Sequence, residues 1–211
     1  MINNCSDDEK QWYDDRRKVY RPIGEVHVLL IGESPPNPQS GRRHFFYLPQ
    51  FLWPDYLYRA VAQAIYGIRV DYYAEEKDLE KNRILANLRD DGFWLIDAVE
   101  CPIGSVLRIP GGLTKKEEKK LRKRLRQDLL ADPNTISNLI QRCIHGNPSR
   151  GVITCHRGVF KQSEQALSDA KINVLADLPF PRYERDISTF VSGMKQALRD
   201  GGWNLQTSQW Q

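Results

Sequence analysis

No other segment narrows the possible folds as much as Val26-His27-Val28-Leu29-Leu30-Ile31. The run is β-branched and apolar on both faces, so it reads as a central strand of a parallel sheet covered on two sides. It ends abruptly at Gly32-Glu33-Ser34-Pro35-Pro36, with Pro38 and Gly41 close behind. Proline cannot donate to a sheet ladder, so the chain must leave the sheet here. A buried strand that breaks into a Pro-rich turn predicts a loop on the carboxyl rim of the sheet, where open α/β folds bind their ligands.

The rest of the chain repeats the theme. Phe93 to Val99 reads as a second buried strand, Gly151 to Cys155 as a third and Ile172 to Leu175 as a fourth. Helical spacing of apolar residues predicts helices over 55–67, 75–90, 114–130, 134–144, 160–170 and 184–200, and a loop over 103–113. Thr114 and Glu117 form a capping-box pattern at the start of one helix, and Gly201-Gly202 stops the last. Strands alternating with helices require crossover connections. The expectation is an α/β protein, a three-layer α/β/α sandwich with a central four-stranded parallel sheet. One domain spans 22–205, preceded by an arm or short helix over 1–21 and followed by a tail over 206–211. Four rim segments should then converge: 32–38, 97–102, 155–158 and 178–183.

Composition sets the outer limits. A net charge of +4 allows a nucleic-acid partner without requiring one. The four cysteines, Cys5, Cys101, Cys143 and Cys155, have neither zinc-site nor iron–sulfur spacing. They read as reduced thiols of a cytoplasmic protein, with no metal and no cofactor expected. No apolar run approaches the ~20 residues of a membrane span, and Met1 to Asp15 is too polar for a signal peptide. A Gly-x-Ser-x-Gly elbow, a Walker A loop and a Gly-x-Gly-x-x-Gly fingerprint are all missing from the sequence, which weighs against a common hydrolase or nucleotide enzyme.

The segment Val28 to Pro36, VLLIGESPP, resembles the first motif of the uracil-DNA glycosylase superfamily, in which a hydrophobic strand runs into Gly-Gln/Glu-x-Pro. Leu95-Ile96-Asp97-Ala98-Val99 is similar to that family's apolar–apolar–Asn–Ala–Val strand end, and Leu178-Pro179-Phe180-Pro181 to its His-Pro-Ser-Pro loop. The resemblance implies a DNA- or nucleobase-binding protein that excises a damaged base by N-glycosidic hydrolysis. By position it implies that the Glu33 backbone approaches the base and that Ser34 replaces a water-activating Asp. Pro36 stands where some members carry a Tyr that shuts out thymine. Phe45 or Phe46 stands where an aromatic stacks on the base. Asp97 replaces the Asn that reads the base edge, and Leu178 replaces a His that stabilises the departing base. With Ser34 and Leu178 in those places, a catalytically inactive nucleic-acid or nucleotide-binding module on the same fold is the alternative.

N-glycosidic hydrolysis needs a carboxylate near the sugar, a donor near the base and a stacking wall around an extruded base. Glu33 and Asp97 are the candidate carboxylates, with Ser34 beside them; Glu33 could equally cap a turn or a helix N-terminus, and Asp97 could equally satisfy loop N–H groups. Pro35, Pro36, Phe45 and Phe46 are candidates for the wall, with stacking worth about 1–3 kcal/mol per base. Of Phe45, Phe46 and Tyr47, at least one should be core and one near the cleft. His156, Arg157 and Arg182 on neighbouring rim loops could meet phosphate or the base. Arg42 and Arg43 suit a phosphate contact or a solvated loop. Lys115, Lys119, Arg122 and Arg126 share one helical face that could track a phosphate backbone or simply face water.

Overall fold

The computed structural model describes residues 6–36, 45–71, 73–103 and 111–210. Arg42, Arg43 and Cys5 lie outside the described residues, as does most of the segment read as a loop over 103–113.

Four parallel strands form the central sheet: β1 (Val28–Gly32), β2 (Phe93–Asp97), β3 (Gly151–Thr154) and β4 (Val174–Asp177). Their spatial order is β2-β1-β3-β4, so β1 and β3 are interior and β1 is paired on both sides. All five residues of β1 are buried, as its two-sided apolar pattern requires. Val28 and Leu30 enter one core, while Leu29 and Ile31 enter a second core on the opposite face. The first core is closed by α1 (Asp7–Val19), α2 (Tyr56–Tyr66), α3 (Lys77–Asp90) and α7 (Glu184–Asp200). The second is closed by α4 (Lys115–Leu130), α5 (Pro133–Gly146) and α6 (Arg157–Asp169). The result is the expected three-layer sandwich, with seven helices among the described residues.

Local chemistry fixes the element ends. Thr114 and Glu117 form a complete capping box at α4, and Asp132 caps α5, with Pro133 in its first turn. Residues 1–21, read as an arm or short helix, contain α1, whose Tyr13 is only 1% exposed and belongs to the main core. β4 starts two residues later than expected because Val174 aligns with Val152 and the pairing runs on to Asp177. There the Thr154 hydroxyl donates to the Asp177 carboxylate at 2.9 Å, so a polar residue completes the edge strand. The expected tail also turns back: β5 (Trp203–Asn204) pairs antiparallel with β6 (Gln209–Trp210).

The reading of four reduced thiols does not hold. Cys101 forms a disulfide, whereas Cys143 and Cys155 are free and buried. Sequence spacing rules out C-x-x-C pairs but carries no information on cysteines that the fold brings together. Burial pushes both free thiols up to about 12, which removes them as nucleophiles at neutral pH. No helix among the described residues is long and apolar enough to cross a membrane.

Candidate functional site

The rim loops meet over a cavity of about 350 Å³. The turn after β1 contributes Glu33, Ser34, Pro35 and Pro36, and the end of β2 contributes Leu95 and Asp97. His156 comes from the β3–α6 turn, while Phe180 and Arg182 come from the loop after β4. Ten candidates named from sequence therefore share one cavity: Glu33, Ser34, Pro35, Pro36, Phe45, Phe46, Asp97, Arg126, His156 and Arg182. Tyr47 points away into the core, where its hydroxyl accepts a hydrogen bond from the Leu95 backbone N–H at 2.5 Å. Phe45 packs edge-on against Tyr13 at 4.9 Å and Phe46 edge-on against Tyr47 at 5.1 Å, so both rings are held rigidly in the wall.

Three carboxylates line the cavity, and each is met by a cation from a distant part of the chain. Asp97, 4% exposed, receives the Arg17 guanidinium on Oδ2 at 2.6 Å. Its other oxygen, Oδ1, receives no hydrogen bond or ion pair among the described residues. Gly32 makes this placement possible, because a Cβ there would sit 2.6 Å from Oδ1. Glu33 is held by Arg126 in a two-pronged contact, with Nε on Oε1 and Nη2 on Oε2. Asp55 is paired with the fully buried Lys81, Nζ to Oδ2, at 2.5 Å.

Arg17 is itself clamped between Asp14 at 2.9 Å and Asp97. Burial opposes its charge, but the two acids prevail and raise its pKa. Its neighbour one turn earlier, Tyr13, donates its hydroxyl to the Pro36 carbonyl at 2.6 Å and so fixes the Pro-rich turn. Helix α1 therefore braces two walls of the site.

His156 is a donor rather than a cation. The Gly158 backbone N–H donates to its Nδ1 at 3.1 Å, which caps α6 and leaves the ring proton on Nε2. Nε2 faces Glu33 Oε1 at 3.7 Å. Burial first, then Arg126 and Arg182, hold the His156 pKa down to about 4.

The depressed value has a consequence for acid stability. The unfolded histidine takes up its proton near pH 6.5 and the folded one only near 4, so stability present at neutral pH is lost as pH falls through that window. His156→Gln should remove on the order of 2 kcal/mol of this loss. Urea unfolding at pH 7 and at pH 4.5 checks this: parallel losses in parent and variant would mean that His156 protonates freely in the fold.

The basic face of α4 divides. Lys115, Lys119 and Arg122 are exposed, and Arg122 pairs with Glu118 on its own helix at 2.7 Å. Arg126 leaves that face and enters the cavity. Arg157, at the start of α6, is exposed on the rim. Leu178 is buried in the main core, where it abuts Gly193 of α7, and contributes nothing to the cavity wall. No group of three His, Cys, Asp or Glu side chains that could hold a metal ion occurs among the described residues.

Sequence reasoning missed several contributors. Arg17 and Tyr13 lie one turn apart on α1, and that spacing beside Trp12 and Tyr20 was the available signal. Phe180 lies within a rim loop that was expected, yet it was not singled out as a wall residue. Pro54, Asp55, Tyr56 and Leu57 line the cavity from the start of α2, and no motif marks them. Comparison with protein-family models, with curated proteins and with solved structures finds no match to this chain.

Proposed function

We propose that the cavity binds a nucleobase, presented by DNA or a related ligand, as in a uracil-DNA glycosylase-like protein, and that the base can be released by N-glycosidic hydrolysis. The observation that carries this reading is a single cavity that combines rigid aromatic walls with buried carboxylates and with neutral or cationic donors. Phe45 and Phe46 supply stacking surfaces, with Phe180 and the prolines completing an apolar slot. Glu33 or Asp97 would oppose the positive charge that develops on the sugar, and the Ser34 hydroxyl would orient water. Leu178 cannot assist the departing base, but the Nε2–H of His156, with Arg182 nearby, offers the donor that an anionic leaving group needs. Lys115, Lys119 and Arg122 would meet phosphates along the flank.

The test is release of free base from oligonucleotides that each carry one uracil, hypoxanthine or xanthine. The expected outcome is excision of at least one, with a loss of about a hundredfold or more in the Glu33→Ala, Asp97→Ala double variant. Unchanged release by that variant would reject the site.

One observation favours a second reading, a binding module without turnover. Both oxygens of Glu33 are engaged by Arg126, so this carboxylate is not free to act on a sugar or a water. Fluorescence anisotropy with a labelled oligonucleotide at two salt concentrations separates this from a protein with no such ligand: affinity that falls with salt, without base release, is its signature.

A further inference from the structure

We infer that the cavity selects a base whose edge presents adjacent hydrogen-bond donors, of the guanine type, over an oxo-pyrimidine such as uracil. The inference rests on the nucleobase reading above and adds the chemistry of the edge that is read. Asp97 is the decisive residue. It is 4% exposed, lines the cavity, and is fixed from behind by Arg17 through Oδ2. No hydrogen bond or ion pair to Oδ1 is found among the described residues. As the ion-pair partner of a buried guanidinium, Asp97 is a carboxylate, and a carboxylate only accepts. A ligand that places a carbonyl oxygen against it meets repulsion, and an acceptor left unpaired on binding is costly.

The bases differ along this edge. Uracil offers one ring N–H between two carbonyl oxygens, so any approach to Asp97 brings an oxygen close to the carboxylate. Guanine offers an exocyclic amine next to a ring N–H, two donors in a row, so a contact centred on the amine keeps its carbonyl and N7 acceptors, which follow beyond the ring N–H, away from the carboxylate. The cavity also holds donors: the Nε2–H of His156, with Arg126 and Arg182. Glu33 does not disturb this polarity, because its charge is taken up by Arg126. Donors on the ligand therefore meet Asp97, and acceptors on the ligand meet the basic wall.

The experiment is isothermal titration of the full chain with deoxyguanosine, deoxyinosine and deoxyuridine at pH 7.5. Deoxyguanosine should bind about tenfold more tightly than deoxyuridine, with deoxyinosine, which lacks the amine, between them. Asp97→Asn adds a donor where only acceptors stood and should shift the preference toward deoxyuridine. Thermal unfolding of that variant checks that it is folded; if it is not, the three nucleosides on the parent chain decide alone. Deoxyuridine binding as tightly as deoxyguanosine would overturn the assignment of the edge and leave the nucleobase reading standing. No binding of any of the three to a folded parent chain would overturn both.

Discussion

Lys81→Met is expected to lower stability by about 3–5 kcal/mol, the cost of leaving a buried carboxylate without its counter-ion. Lys81 is 0% exposed, and its Nζ lies 2.5 Å from Asp55 Oδ2 and 4.6 Å from the centre of the Tyr58 ring. Methionine fills the space but supplies no charge, so Asp55 loses the cation that opposes its burial. Asp55 already holds an unfavourable backbone, with φ at 29° just before α2, and the ion pair helps to hold it there. Urea unfolding measures the loss. The double variant Lys81→Met, Asp55→Asn, in which neither partner is charged, should recover most of it. A single-variant loss below about 1 kcal/mol would show that the pair contributes little beyond packing.

Arg17→Met should cost a similar ~3–5 kcal/mol and, unlike Lys81→Met, should also disable the acceptor end of the cavity. The Arg17 and Asp97 side chains are each only 6% exposed, so solvent cannot replace the lost partner. Asp97 would then swing or protonate, and an acceptor aimed at the ligand would no longer exist. Arg17→Lys keeps the charge but cannot reach Asp14 and Asp97 together with two prongs of a planar group, so an intermediate loss is expected. Thermal unfolding combined with nucleoside titration separates the two effects. A methionine variant that melts early yet still binds with parental affinity would show that Arg17 supports the fold and not the site.

Much of this arrangement was legible from sequence because it follows from strand ends. Once Val28–Ile31 and Phe93–Ile96 are read as neighbouring parallel strands, the residues that follow each must share a rim, and Glu33 and Asp97 come together without further information. The aromatic triplet was divisible in advance because adjacent side chains cannot all face one way: all three are buried in the main core, and Phe45 and Phe46 also line the cavity while Tyr47 does not. The counter-ions were not legible. Arg17 meets a partner 80 residues away and Arg126 one 93 residues away, and local patterning carries no information about such pairs. Arg126 shows why: helical spacing groups it with Lys115, Lys119 and Arg122, but it does not say that the later turns of α4 approach the cavity while the first turn remains in solvent. The disulfide at Cys101 escaped for the same reason. A strand ending on Asp177 was missed because the edge position lets a carboxylate satisfy a neighbouring hydroxyl where an interior strand would demand an apolar residue.

The pairing of each cavity acid with a remote cation also bears on how the chain reaches its native state. Contacts separated by 26, 80 and 93 residues form only after long loops have closed, so no excised fragment can present a half-built version of the site. Occupancy of the cavity is then a property of the completely folded molecule alone. Any ligand that enters it will raise the melting temperature in proportion to the logarithm of its excess concentration, which turns a simple thermal screen into a search for the natural occupant.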